Sequence, residues 1–174
     1  MRKAPQGWHN HSNGGGLIED SAHVEVSSYI GKNARVSGNA RVSGNARVSG
    51  NAQVCGDARV SGNAQVCGDA RVSGNAWVFG DARVFGDAQV SGDARVSGDA
   101  RVSGDAWDQS PLYIQGSRHA LTNSRKGHIQ IGCHERTFED WKKHGKAIAR
   151  VEGYTSAQIK EYGQLVDLFI AIGR

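Results

Sequence analysis

An aliphatic residue recurs at every sixth position through about half of the chain. From Val36 to Val102 it is valine twelve times in succession, in a unit that reads Ala-Arg-Val-Ser-Gly-Asn/Asp, and Ile18, Val24 and Ile30 carry the same phase backwards. Within a unit, Ala and Val are two apart and point to one side of an extended segment, while Arg and Ser point to the other. Gly followed by Asn or Asp supplies residues that tolerate the positive φ of a sharp corner. Each hexamer is therefore one short strand and one corner. A meander of such strands would bury almost nothing. Three hexamers closed into a triangle instead stack every valine on the valine eighteen residues later. Fifteen hexamers make five coils, a prism about 24 Å tall at a strand spacing near 4.8 Å. Asp108 breaks the phase, and Ile114 briefly restores it.

Steps of eighteen also sort the outward residues into columns. One face carries Arg35, Gln53, Arg71, Gln89 and Trp107; the second Arg41, Arg59, Trp77 and Arg95; the third Arg47, Gln65, Arg83 and Arg101. Arg columns beside Asn and Asp corners read as a solvated, charge-balanced surface that discourages aggregation. Trp77, Phe79 and Phe85 depart from the pattern by placing large aromatics where other units have Arg or Ser. Exposed apolar clusters mark contacts, and these three residues are the expected subunit interface, with local cover by the chain's own C-terminal segment as the alternative.

This unit, Ala-Arg-Val-Ser-Gly-Asn/Asp without interruption, resembles the left-handed parallel β-helix of hexapeptide-repeat proteins. The resemblance implies a mainly β fold and a homo-oligomer, with a trimer favoured. It also implies an acyltransferase whose catalytic histidine works between subunits, or a metal held by three histidines on the coils of adjacent subunits. Between Val36 and Val102 there is neither an insertion nor a histidine, so these coils offer no base and no metal ligands of that kind. Ice binding would require flat ranks of Thr, which are absent here.

The flanks follow a different pattern. Residues 1–17 form a capping loop before the 18–107 repeat, with Gly14, Gly15 and Gly16 offering either a tight closure of the first coil, plugged by Trp8, or backbone amides for an anion. Residues 108–174 form a third region. There His119–Ser124 and His128–Cys133 alternate as a β-hairpin around Arg125-Lys126-Gly127. Thr137 to Asp140 has the spacing of a capping box for a helix reaching about Val151, stopped by Gly153. Thr155 or Ser156 caps a second helix to about Ile172, with Ile159, Tyr162, Leu165, Val166 and Phe169 as its apolar stripe. The expected architecture is five coils followed by a small ββαα unit.

Composition adds limits. The chain has 174 residues, 24 Gly and a formal net charge of +4, and the basic surplus falls mostly in residues 108–174. That surplus is too small to imply nucleic-acid binding. Cys55, Cys67 and Cys133 form no CxxC pair and read as free thiols of a reducing compartment. His119, His128, Cys133, His134 and His144 match no metal-ligand spacing. No apolar run reaches the length of a membrane span or a signal-peptide core, so a cytoplasmic protein without a bound metal or cofactor is expected.

The stretch HNHSNGGGLIED and the tail from GHIQIGCH through EGYTSAQIKEY resemble uncharacterised hexapeptide-repeat proteins of phages and prophages. The resemblance implies the cytoplasm of an infected host cell and a role there, such as countering a host defence. Taken together, these features predict a non-enzymatic binding protein acting on a host protein or a small anionic ligand such as a nucleotide. The residues expected to carry it are Arg118, His119, Arg125, Lys126 and His128 in the tail, and Trp8, His9 and His11 in the cap. Two alternatives stand beside it. One is a transferase using His9, His11 or His119 between subunits; the other is a structural oligomer of the virion.

Overall fold

The computed structural model describes residues 3–104, 106–107 and 109–172. They fall into two compact units, Met1–Ser110 and Pro111–Arg174. The first is a parallel β-solenoid of about five coils, built from strands of two or three residues in three sheets. Each valine pairs with the valine one coil on, as in Val36↔Val54, Val48↔Val66 and Val60↔Val78. The interior alanines and valines from Ala34 to Val102 are at most 1 % exposed. The two-residue spacing of Ala and Val thus produces a dry interior column on each face, and the outward Arg columns fall where the repeat places them.

Corners are held by backbone conformation and by side-chain ladders. At Gly50, φ is +67° and a Cβ would lie 2.7 Å from the Gly68 carbonyl oxygen of the next coil, so only glycine fits. The following Asn donates to its counterpart one coil on: Asn51 Nδ2 to Asp69 Oδ1 at 2.8 Å, and Asn63 Nδ2 to Asp81 Oδ1 at 3.0 Å. These bonds join corner to corner in the direction of the stack, adding to the interstrand bonds.

Both ends of the solenoid are finished. At the start, Trp8–Asn10 pairs antiparallel with Leu17–Glu19, so the cap is a strand rather than a loop. Gly16 lets the chain press onto Ile30, whose Cγ2 would be 2.4 Å from a Cβ at that position. At the far end, one expectation is corrected. Trp107 does not continue the outward column below Gln89; it pairs with Val90 and is 2 % exposed, while Ala106 faces Gln89. Trp107 follows Val102 by only five positions. The six-residue phase would have brought position 108, an aspartate, into the apolar column, where an unpaired carboxylate is strongly disfavoured. The shortened last unit puts an indole there instead. Ser110 still belongs to this unit, its Oγ accepting from the Arg95 amide at 2.9 Å.

Ile114 likewise does not resume the repeat. It lies in Tyr113–Gln115, the first strand of a four-stranded antiparallel sheet in the second unit, followed by Ala120–Arg125, His128–Ile131 and His134–Thr137. The expected hairpin is the middle pair, and a strand flanks it on either side. The last of these, His-Glu-Arg-Thr, has no buried residue to reveal it in sequence. Helix α1 spans Phe138–Val151, with Thr137 Oγ1 accepting from the Asp140 amide at 3.1 Å. Helix α2 spans Ser156–Ile172. Thr155 and Gln158 cap it reciprocally, each side chain accepting the other's amide at 3.2 and 3.0 Å. Leu121, Ile129, Ile131, Trp141, Val166 and Phe169 form the unit's buried core.

Candidate functional site

The basic residues of the tail divide into two groups. Arg118 and His119 precede the strand Ala120–Arg125, while Arg125, Lys126 and His128 lie at its other end. Six residue steps of extended chain, from His119 to Arg125, separate the groups by about 20 Å. In the second group, Arg125 is committed to Glu135, with Nη2 to Oε2 at 2.8 Å, and Ser124 Oγ donates to Oε1 of the same carboxylate at 2.6 Å. The Arg125 hydrogen bond holds the Glu135 carboxyl below the usual carboxylate range, with partial burial opposing and Ser124 assisting. His128 Nδ1 lies 2.9 Å from the Lys126 carbonyl oxygen.

The first group is organised by Tyr162. Its hydroxyl accepts from the Arg118 amide at 3.0 Å and from the His119 amide, and donates to the His119 carbonyl at 2.7 Å. The Arg118 guanidinium stacks 4.7 Å from the centre of the Tyr154 ring and donates to the Gly153 carbonyl at 3.0 Å. Burial pushes the Tyr154 phenol up to about 12, with Tyr162 adding to the shift and Arg118 opposing it. Five expected ligand residues are therefore not one patch, and two of the arginines already have partners within the unit.

The same unit holds a cavity of about 200 Å³ between α1, α2 and the sheet. Trp141, Ile148, Ile159 and Val166 are among its apolar walls, and Gly145 and Gly163 both open onto it. Each glycine stands midway along its helix. Two polar contacts are at the rim: a hydrogen bond between His134 Nε2 and Glu152 Oε1 at 2.9 Å, and an ion pair between Lys142 Nζ and Asp167 Oδ1 at 3.6 Å. Lys146 also lines the cavity and has no hydrogen bond or ion pair among the described residues. None of these residues is among the ligand-site residues expected from the sequence. The available signal was the pair of interior helical glycines, each of which costs about 1 kcal/mol relative to alanine and therefore asks for a reason.

At the solenoid's start, His9 Nδ1 meets Asp20 at 3.0 Å on the surface, and Trp8 is half-buried on its strand. His11 is buried, with Nδ1 3.1 Å from the Asn13 carbonyl and Nε2 without a partner. The amides of Gly15 and Gly16 donate to the carbonyls of His11 and Ile30, which supports tight closure over an anion site. On the coils, Trp77 sits between Arg59 and Arg95, at 5.3 and 5.5 Å, with Phe79 at 5.6 Å. Phe85 is the more open aromatic, 37 % exposed. Among the described residues no group of three or more His, Cys, Asp or Glu could hold a metal ion. Among the described residues no helix is long and apolar enough to cross a membrane.

The YdcK beta solenoid repeat matches the chain at residues 34–50, 40–54, 52–68, 64–80, 88–104 and 94–109. All of these matches fall on the coils or their end, and with the observed coils they establish a repeat β-helix protein. Comparison with curated proteins and with solved structures gives no match.

Proposed function

We propose that the protein is a non-enzymatic binding protein in which the solenoid is the scaffold and the C-terminal unit holds the ligand. The observation that carries this reading is the cavity between α1 and α2, kept open by Gly145 and Gly163. On the solenoid, by contrast, the outward Arg, Gln and Asn/Asp columns repeat with little variation. The histidines a transferase would use, His9, His11 and His119, do not line that cavity.

The likeness of the flanks to phage and prophage hexapeptide-repeat proteins supports a setting in the cytoplasm of an infected cell. Binding a host protein, or withdrawing a small anion such as a nucleotide, would there counter a host defence. Trp77, Phe79 and Phe85 are the candidate contacts of a homo-oligomer, a trimer being the arrangement hexapeptide-repeat proteins favour. Identifying the small molecules released when the purified protein is denatured tests the binding reading. A stoichiometric organic anion supports it, whereas turnover of acyl-CoA by the same preparation overturns it in favour of a transferase.

A further inference from the structure

Gly163 has no steric reason to be glycine. A Cβ built there meets nothing within 4 Å, and one at Gly145 meets only Trp141 Cε3 at 3.4 Å, an ordinary contact. Neither residue has the positive φ that would require glycine. In the interior of a helix both are unfavourable relative to alanine. What the two glycines preserve is empty space between the helices.

The walls and rim define what that space accepts. Inside, two of the three aromatic side chains have their polar atoms engaged: Trp141 Nε1 donates to the Ile129 carbonyl at 2.8 Å, and the Tyr162 hydroxyl is bonded to His119, while the Tyr154 hydroxyl has no hydrogen bond among the described residues. A sugar, with several hydroxyls to satisfy, would find only the Tyr154 phenol open among these aromatics, and most of its desolvation would go uncompensated. An apolar body would not meet that cost. At the rim, Glu152 is in hydrogen-bond contact with His134 and Asp167 pairs with Lys142, leaving Lys146 as the lining cation without a partner among the described residues. One unpartnered ammonium complements one carboxylate. A phosphate dianion would bring a second charge beside two carboxylates. The volume, about 200 Å³, is roughly seven waters at about 30 Å³ each, and lies below the ~300 Å³ of the smaller drug-sized sites.

We propose that the α1–α2 cavity binds a small apolar monocarboxylate, a single aromatic ring or short aliphatic chain, with Lys146 receiving the carboxylate. This rests on the reading of the C-terminal unit as the ligand-holding part and narrows its ligand to one chemical class. The test is titration of the full chain with 3-phenylpropionate, its neutral amide and the corresponding amine, followed by the amide NMR signals of Gly145 and Gly163. The carboxylate is expected to bind at least about ten-fold more tightly than the amide, and the amine not at all, a ratio set by one charge-assisted contact. Lys146→Gln should bring the carboxylate down to the affinity of the amide and leave the amide unchanged. Gly163→Leu, which strengthens the helix while filling the space, should abolish both. Equal affinity for acid and amide, or a ratio unmoved by Lys146→Gln, overturns the carboxylate assignment but leaves the cavity as a binding site. Absence of shifts with all three probes at millimolar concentration overturns the cavity itself as a ligand site.

Discussion

The corner glycines provide a graded test of how the coils are held. In Gly50, Gly80 and Gly86, φ is +67°, +72° and +64°, so alanine would incur the same left-handed backbone cost at each. That cost is about 1–2 kcal/mol, partly offset by about 0.4–1 kcal/mol from the lower entropy of the unfolded chain. The space available differs. A Cβ at Gly86 has its nearest neighbour at 4.0 Å, at Gly80 at 3.2 Å, and at Gly50 at 2.7 Å from the Gly68 carbonyl oxygen. That oxygen also accepts the Asn51 amide at 2.8 Å. Displacing it to an ordinary carbon–oxygen contact near 3.3 Å weakens a bond worth about 0.5–1.5 kcal/mol. Gly86→Ala should therefore cost about 1 kcal/mol and Gly50→Ala about 1.5–2.5 kcal/mol, with Gly80→Ala between them. Urea unfolding followed by far-ultraviolet circular dichroism measures the three midpoints. Equal losses, or a larger loss at Gly86, would refute the close packing of corner on corner.

Other consequences follow from the same structure. Val66→Asp places an unpaired carboxylate in the valine column and should unfold several coils, while Arg59→Ser in the outward column should change the melting temperature little; equal effects in thermal denaturation would refute the register. Trp77→Ser with Phe79→Ser should lower the solution mass seen by light scattering without unfolding the solenoid, if these aromatics anchor a homo-oligomer at about 2 kcal/mol or more for a hot spot; an unchanged mass removes them from the interface. Because Arg125 depresses the Glu135 carboxyl, that group's contribution to stability is present above the ordinary carboxylate range and is lost as pH falls through its lowered folded value. Glu135→Gln should therefore flatten that part of the acid dependence of melting, and an unaltered slope contradicts the pairing.

The solenoid was legible because its physics repeats: a six-residue period, two inward positions and a corner glycine recur until only a coil accounts for them. Both helices were legible too, since Thr137 and Thr155 carry capping side chains and Gly153 follows the first helix. The end of the coils was not. Whether Trp107 faces outward or inward turns on a single missing residue after Val102, and the deciding factor is the cost of placing an aspartate in an apolar column. The edge strand His134–Thr137 was hidden because all four residues remain partly or fully exposed, leaving no alternation to read. The cavity was harder still. Gly145 and Gly163 lie on different helices, and nothing local to either shows that they face the same space. Charge clustering drew attention instead to Arg118 and Arg125, whose interactions with Tyr154 and Glu135 appear only once the chain is folded.

The central claim is that ligand is held by the C-terminal unit and not by the coils. Mass spectrometry of the small molecules released on denaturation measures this most directly when applied to three proteins purified alike: the unaltered chain, a coil variant with Arg41, Arg59 and Arg95 changed to Ser, and Gly163→Leu. All three should show the circular dichroism of folded coils. The account predicts the same stoichiometric organic anion from the unaltered chain and the coil variant, and its loss from Gly163→Leu. An anion retained by Gly163→Leu and lost from the coil variant would contradict the account and place the site on the solenoid.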